Sequence, residues 1–299
     1  MKRTFHSVIG STVIMSVIIL LMMSLFALAQ NQAPNVITDN LASASSNSLE
    51  DEKYKTREDE AGKYFTSDER NCVKMEKQAR DFIREFPNRN GGYELMMLYM
   101  EIVWAGHNFW AERTNYDGAQ AWGKAWENER ALAKEMSTGA GPQWFKSWSQ
   151  GFLNRLDAMG KPIQIQFKAM DGSEVDLGKM KGKVVLINFW ATWCTPCVEE
   201  LPQVKAAYDK FHRQGFEVIG VSLDEDKTKL ERFLKQNGIA WPQYFDGKSQ
   251  VEDNNKFAQE FGIDGIPHVL LVDKKGCLRV DQIHLPDGFE ETVKKLLAE

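Results

Sequence analysis

The chain has few cysteines for its length, four among 299 residues: Cys72, Cys194, Cys197 and Cys277. A disulfide-stapled scaffold of this size would need many more. Structural zinc is excluded because the chain has no second Cys-x-x-Cys pair and no His-x-x-x-His pair to complete the ligands. Covalent haem would need a histidine after Cys197, where Val198 stands. The closely spaced pair Cys194 and Cys197 is therefore expected to have a chemical role rather than a structural one.

Positive charge is also scarce, with 37 Lys and Arg against 42 Asp and Glu and a formal net charge of −5. An acidic surface argues against nucleic acid as a partner. The sequence also lacks a glycine-rich phosphate loop, a Ser-His-Asp order and a basic patch. None of the corresponding chemistries therefore competes with a reaction of the thiols.

The stretch that carries chemistry is Trp193-Cys194-Thr195-Pro196-Cys197, which follows an apolar run, Val184 to Trp190, typical of a buried strand. Cys194 should lie at a helix N-terminus, where unpaired N–H groups and the helix dipole favour a thiolate. Pro196 suits the first helical turn because its missing N–H costs nothing there. The i to i+3 spacing sets Cys197 on the same face, so it can resolve a mixed disulfide formed at Cys194. The sequence predicts a redox centre.

The N-terminus carries two basic residues and then an apolar run from about Val8 to Leu28. Ala27-Leu28-Ala29, before polar Gln30, is a small-x-small cleavage pattern, so residues 1–29 are expected to be an export signal. Because about 20 apolar residues can also span a bilayer, an uncleaved membrane anchor is the alternative. Cleavage would leave 35 basic and 42 acidic residues, a formal charge of −7. The predicted location is periplasmic or otherwise extracytoplasmic.

Two folded units are expected because the chain is longer than one typical domain. Residues 30–62 are polar and lack hydrophobic periodicity, which predicts a disordered linker. From a capping box at Thr66-Ser67-Asp68-Glu69, four helical patterns predict a helical domain over 63–159. This domain holds six of the nine tryptophans, expected in its core, with a partner-binding groove as the alternative. They are Trp104, Trp110, Trp122, Trp126, Trp144 and Trp148.

After Pro162 the hydrophobic period changes from that of helices to that of strands. A hairpin pattern leads to the strand at Val184, a helix to about Arg213 and a strand over 216–223, the order of a βαβ unit. Later patterns predict helices near 226–237, 255–261 and 289–297 and strands at 268–272 and 277–283. We expect a mixed sheet covered by helices on both faces over 160–299.

This second region resembles a known family. Gly182-Lys183-Val184 through Asn188-Phe189-Trp190-Ala191-Thr192-Trp193-Cys194, followed by Glu199-Glu200-Leu201-Pro202, is similar to the exported TlpA/ResA-like thiol-disulfide oxidoreductases. Gly262-Ile263-Asp264-Gly265-Ile266-Pro267 resembles a loop of the thioredoxin fold. The resemblance implies an α/β thioredoxin-like fold over about 160–299. A separate all-α helical domain, which resembles no family known to us, would precede it.

The resemblance also implies roles for residues around the thiols. Pro267 would be cis and pack against the cysteine pair, so that the Ile266 backbone pairs with an extended substrate; an ordinary trans turn is the alternative. Asn188 stands where thioredoxin has a buried acid, so another group must accept the proton. Glu200 matches an acidic residue of the ResA-like proteins, and we expect it to tune thiol acidity and shuttle protons. A solvated surface glutamate is the alternative.

Three further expectations concern binding. Trp193, Ile266 and His268 are assigned to the substrate groove, and His268 could also raise the acidity of Cys194; a packed polar residue at a strand start is the alternative. No metal is expected, because no third ligand converges on His268 in sequence. Cys72 and Cys277 are expected to be inert buried thiols, with pairing across the two domains as the alternative.

The sequence thus predicts an exported thiol-disulfide oxidoreductase that needs no cofactor and reduces disulfides in exported proteins, apocytochrome c being one candidate by resemblance. The resemblance also implies a membrane electron donor that restores the dithiol. One alternative is a thiol peroxidase of the same fold, although no Pro-x-x-x-Thr-x-x-Cys pattern leads to either active-site thiol. The other is a binding or assembly protein acting through the tryptophan-rich helices.

Overall fold

The structure is a computed structural model that describes residues 51–57, 72–111, 119–248, 255–283, 285 and 288–299. The predicted export signal, its cleavage position and the capping box at residues 66–69 lie outside the described residues. The chain divides into two compact units, Met1–Glu129 and Arg130–Glu299. The second unit begins at Arg130, whereas the sequence predicts the domain boundary at residue 160.

Every regular element in the described part of the first unit is a helix. The helix α1 covers residues 51–57, α2 Cys72–Glu85 and α3 Gly91–Ala111, and α4, Ala119–Thr138, crosses the division between the units. Apolar residues three or four apart make one face of α2 hydrophobic, and this face is buried as its periodicity predicts. Its buried residues are Met75, Ala79 and Phe82, with Phe86 just beyond the helix.

The helix α1 occupies residues that the sequence predicts as linker, and side-chain contacts to α2 and to the start of α3 explain the difference. The ring centroid of Tyr54 lies 5.1 Å from that of Phe82 and 5.4 Å from that of Phe86. The Tyr54 hydroxyl accepts a hydrogen bond from the Gly91 N–H at 3.0 Å. This half-buried ring and the ion pairs Arg89–Asp51 and Arg57–Glu85 thus hold in place a polar segment with little hydrophobic periodicity.

The second unit is built on a five-stranded mixed sheet with strand order β5-β4-β3-β6-β7, beside a two-stranded hairpin of β1 and β2. The strands β3, β4 and β5 are parallel, whereas β6 and β7 are antiparallel to their neighbours. In chain order the strands are β1 Gln166–Lys168, β2 Glu174–Asp176, β3 Val184–Trp190, β4 Phe216–Ser222, β5 Gln243–Tyr244, β6 His268–Val272 and β7 Leu278–Ile283.

Helices alternate with these strands as the sequence predicts. In chain order they are α5 Gln143–Ala158, α6 Thr195–Phe211, α7 Lys227–Asn237, α8 Lys256–Phe261 and α9 Phe289–Ala298. The helices α6 and α7 make the crossovers that parallel strands require. All seven residues of the central strand β3 are buried, so both faces of the sheet are covered at its centre.

The helix α5 packs against α8 of the second unit, although the sequence predicts it as part of a separate helical domain. Its Gly151 lies so close to Gly262, at the end of α8, that a Cβ built at 151 would fall 2.5 Å from the Gly262 Cα. The Asn154 side chain donates to the Glu260 carbonyl oxygen at 3.1 Å. Two glycines at the crossing thus allow the two backbones to meet.

The predicted tryptophan core is found in part. Trp104 and Trp148 are buried, Trp144 is 36% exposed, and the side chains of Trp110, Trp122 and Trp126 lie outside the described residues. No helix among the described residues combines the length and apolarity needed to cross a bilayer.

Candidate active site

The two cysteines of the Cys-x-x-Cys pair form a disulfide at the N-terminus of α6. The sulfur atoms are 2.03 Å apart and the Cα atoms 5.3 Å apart. Cys194 is the N-cap residue of α6, and its Sγ accepts a hydrogen bond from the Cys197 N–H at 3.2 Å. Cys194 is 5% exposed and Cys197 2%. The helix N-terminus can therefore stabilise a thiolate on Cys194, the more exposed of the two.

The loop before the cysteines is held by a buried carboxylate that the sequence analysis did not identify. Asp224 accepts hydrogen bonds from the Thr192 N–H at 3.1 Å and the Thr192 hydroxyl at 2.5 Å. The Ser222 hydroxyl donates to the same carboxylate at 2.8 Å. Asp224 follows β4 directly, 32 residues beyond Thr192, so no local pattern in the sequence links the two. The carboxylate fixes the loop from which Trp193 and Cys194 extend.

The Ile266–Pro267 loop faces the disulfide. The peptide bond between these residues is cis, as the resemblance predicts. The Cys194 Sγ lies 3.6 Å from the Ile266 carbonyl oxygen. The loop and the sulfur are 72 residues apart in sequence, and the antiparallel pairing of β6 with β3 brings them together.

The predicted groove residues differ widely in exposure. Trp193 is 59% exposed, although it directly precedes Cys194. His268 is 2% exposed. Its Nε2 lies 2.6 Å from Asp281 Oδ1 and 3.1 Å from a guanidinium nitrogen of Arg155. The structure thus places Trp193 where a substrate can reach it and His268 in the interior, the alternative that the sequence left open.

Glu200 lies on α6 one turn beyond Cys197 and is half-buried, whereas Glu199 is exposed. Glu200 lines a groove of about 550 Å³ between α6 and the start of α9. Apolar and acidic side chains share this groove: Pro202, Ala206, Leu285, Phe289 and Glu290 belong to its lining. Glu200 thus lies on the same side of α6 as Cys197, and its side chain remains partly accessible to solvent.

The remaining sequence predictions concern residues away from the disulfide. Asn188 is buried in β3 at 4% exposure. Cys277 is a half-buried free thiol, and the side chain of Cys72 lies outside the described residues. Across the described ranges, no group of three or more histidine, cysteine or acidic side chains is arranged to hold a metal ion.

The comparisons with known proteins match the second unit. A family model described as Redoxin matches residues 158–297. The thiol-disulfide oxidoreductase ResA of Bacillus thuringiensis is 35% identical over 114 residues, which are 38% of this chain and 62% of that protein. ResA of Bacillus cereus is 30% identical over 152 residues, which are 49% of this chain and 84% of that protein. The chain thus spans less than two thirds of the Bacillus thuringiensis relative.

Among solved structures, the thioredoxin domain of a thiol-disulfide oxidoreductase from Bacteroides vulgatus is 29% identical, covers 47% of this chain and 98% of its own, and has a TM-score of 0.41. The sheet order, the cysteine pair at a helix N-terminus and the facing cis-proline loop define the second unit as a thioredoxin-like domain. The match to the Bacillus cereus protein, which covers 84% of that protein at 30% identity, identifies the family. The chain belongs to the ResA-like thiol-disulfide oxidoreductases.

Proposed function

We propose that this protein is an exported reductant that transfers two electrons from the Cys194–Cys197 dithiol to disulfides in other exported proteins. The observation that carries the proposal is the disulfide at the N-terminus of α6, with Cys194 Sγ 3.6 Å from the Ile266 carbonyl oxygen. A reactive sulfur beside an accessible backbone segment suits a polypeptide substrate, because an extended chain can pair with that backbone while its disulfide meets the sulfur.

The reaction proceeds through two exchanges. The Cys194 thiolate attacks a substrate disulfide, so that the substrate S–S bond breaks, a mixed disulfide forms and one substrate thiolate leaves and takes a proton. The Cys197 thiolate then attacks Cys194 Sγ, which releases the second substrate thiol and forms the internal disulfide. The substrate gains two electrons and two protons, and the protein is left in the oxidised state of this structure.

The side chains around the disulfide supply binding and proton transfer in this proposal. Trp193, at 59% exposure, offers an apolar contact to the substrate segment, and the Ile266 backbone pairs with it. Glu200 takes the proton from Cys197 before the second exchange and passes it to solvent, because it is one turn away and half-buried. Pro267 holds the Ile266 backbone beside the sulfur. Because His268 is buried, it supports this loop from the protein interior instead of contacting substrate.

We also propose the surroundings in which this chemistry takes place. Residues 1–29 export the chain or anchor it, residues 30–62 contain the linker, and the helical domain precedes the thioredoxin-like domain. A membrane electron donor restores the dithiol. The ResA resemblance and the apolar N-terminal run support an extracytoplasmic location, with cytochrome c maturation as one process the reductant would serve.

Reduction of insulin by the purified protein with a dithiol donor tests the activity. The wild-type protein should turn over, Cys194→Ser should not, and Cys197→Ala should accumulate a mixed disulfide with insulin through Cys194. The same variant, expressed in intact cells, should capture exported proteins in the same linkage. Wild-type turnover of peroxide without insulin reduction would overturn the proposal in favour of the peroxidase alternative.

A further inference from the structure

A charged residue from outside the matched Redoxin segment is buried beside His268, the residue that follows the Ile266–Pro267 loop. Arg155 lies on α5, before residue 158 where the family model begins, and its side chain is fully buried. Its guanidinium nitrogen is 3.2 Å from Asp281 Oδ1 and 3.1 Å from His268 Nε2. His268 is the residue that follows Pro267. One side chain of α5 thus reaches the strand that carries the loop.

The three groups form a charge-balanced cluster. Because His268 Nε2 lies 2.6 Å from Asp281 Oδ1, its N–H donates to the carboxylate, and the guanidinium bonds the same oxygen. Burial alone would raise the pKa of Asp281, but the charge of Arg155 and the hydrogen bond from His268 outweigh burial and lower it. The cluster therefore keeps an ion pair in the interior, where removal of either charge leaves the other uncompensated.

The same helix also holds the other end of the loop. Asn154 donates to the Glu260 carbonyl oxygen, and Gly151 packs against Gly262. The five residues 263–267 connect Gly262 to His268. The helix α5 thus contacts the chain just before this segment and just after it. Ile266, whose carbonyl oxygen lies 3.6 Å from Cys194 Sγ, belongs to this short span.

The ring of His268 adds a link to the strand that leads to the cysteines. It packs edge-on against Phe189 of β3 with 6.4 Å between the ring centroids, and the two residues are paired in the sheet. Arg155 therefore pairs with the carboxylate of Asp281, and that carboxylate binds a histidine that lies between the loop and the central strand.

From these contacts we propose that Arg155 is a positioning residue for disulfide exchange, acting through Asp281 and His268 to hold the Ile266 backbone in register with a polypeptide substrate. The inference rests on the proposed function, because it assigns Arg155 a part in substrate alignment. A loop displaced by about 1 Å would still leave Cys194 chemically competent but would misplace a substrate chain paired with Ile266.

The role predicts a selective defect. A polypeptide disulfide uses both the sulfur and the loop, whereas a small aromatic disulfide, dithiobis(nitrobenzoate), needs only the sulfur. The test compares kcat/KM for insulin and for the small disulfide in Arg155→Lys and in the double variant Arg155→Met with Asp281→Asn. The double variant removes both charges together, so it should fold even where a single charge deletion would not.

Arg130→Gln is the matched control. Arg130 also belongs to the second unit and pairs with a carboxylate of α5, Asp157, but it is exposed. We expect the double variant to lose roughly tenfold or more in kcat/KM for insulin while the rate with the small disulfide stays within about twofold. Arg155→Lys should lie between wild type and the double variant, and Arg130→Gln should match wild type.

Equal losses with both disulfides, or no loss with either, would overturn the positioning role while wild-type insulin reduction still upheld the proposed function. A wild-type protein that reduces neither disulfide would instead overturn the proposed function itself. Circular dichroism of each variant, with melting temperatures compared under oxidising conditions, shows whether the fold is retained in the proteins being assayed.

Discussion

At the scale of single residues, the cysteine pair at the start of α6 could be predicted from the sequence because its members are neighbours along the chain. Cys194, Cys197 and the proposed proton acceptor Glu200 lie within seven consecutive residues, where helical periodicity fixes their relative placement. Asp224 and Arg155 could not be found in this way. Their partners, Thr192 and Asp281, are 32 and 126 residues away, and only the folded chain brings them together.

Glu200 and its neighbour Glu199 offer a matched pair for testing proton transfer. Glu200→Gln keeps the shape of the half-buried side chain but cannot accept a proton, so release of substrate from the mixed disulfide should slow and its pH profile should change. Glu199→Gln, on the exposed face, should leave both unchanged. Stopped-flow measurement of insulin reduction from pH 6 to 9 checks the pair, and indistinguishable profiles would remove Glu200 from the mechanism.

Asp224 is expected to stabilise the fold as well as the loop before the cysteines. Asp224→Ala leaves the Ser222 hydroxyl and the Thr192 N–H without their acceptor, at a cost of about 1–3 kcal/mol in the free energy of unfolding. Urea denaturation measures this cost, and insulin reduction should fall as well because the loop loses its anchor.

The control for Asp224 is Asp226, two residues further on. Asp226 caps α7 by accepting from the N–H groups of Thr228 and Lys229, and Asp226→Ala should cost about 1 kcal/mol without any effect on insulin reduction. A stability loss at Asp224 no larger than this, with activity retained, would contradict the role assigned to the buried carboxylate.

At the scale of elements, sequence periodicity predicts the helices and strands of the second half, including the short hairpin of β1 and β2, but not β5. The strand β6 has its predicted bounds, His268–Val272, because four apolar residues follow His268 without a break. The strand β5, Gln243–Tyr244, has only two residues, too few to show a period of two. The sequence also does not predict which helices pack together. The glycines at the crossing of α5 and α8 carry no local pattern that shows which helix they face.

The crossing of α5 and α8 gives a prediction with the opposite sign to intrinsic helix propensity. Replacing glycine by alanine inside a helix normally stabilises it by about 0.5–1 kcal/mol. At Gly151 the added methyl group would meet the backbone at Gly262, so Gly151→Ala should destabilise the protein by about 2 kcal/mol or more.

Thermal or urea unfolding of Gly151→Ala measures the effect. Gln150→Ala, at an exposed position of the same helix, is its control and should change the free energy of unfolding by no more than about 0.5 kcal/mol. A Gly151→Ala protein as stable as wild type would show that the two helices separate readily. That result would contradict the claim that α5 helps to position residues 263–267.

At the scale of the whole molecule, the alternating elements predict a mixed sheet covered by helices over the second half, and the sheet confirms it. The thioredoxin-like fold follows from the resemblance to the TlpA/ResA-like proteins rather than from the element pattern. The two compact units divide after Glu129, within α4, so that α5 belongs to the second unit. Packing of α5 against α8 places that helix with the sheet, and such contacts depend on tertiary geometry rather than on local composition.

The buried ion pair makes stability depend on acid pH. The folded pKa of Asp281 lies below its unfolded value, so its stabilising contribution is complete above about pH 4 and is lost as the pH falls towards the folded pKa. Urea denaturation between pH 3 and 7 should show this decline in wild type. The Arg155→Met/Asp281→Asn variant should show a smaller decline over the same interval, and identical pH profiles would contradict the assigned charge state.

The most direct test of the account is the reactivity of the reduced thiols at neutral pH. Iodoacetamide labelling at pH 7, followed by mass spectrometry, should modify Cys194 first and faster than free cysteine in the same buffer, because the N-terminus of α6 stabilises its thiolate. Labelling of Cys194 and Cys197 at equal rates, neither above that of free cysteine, would contradict the claim that this pair is a redox centre with Cys194 as its nucleophile.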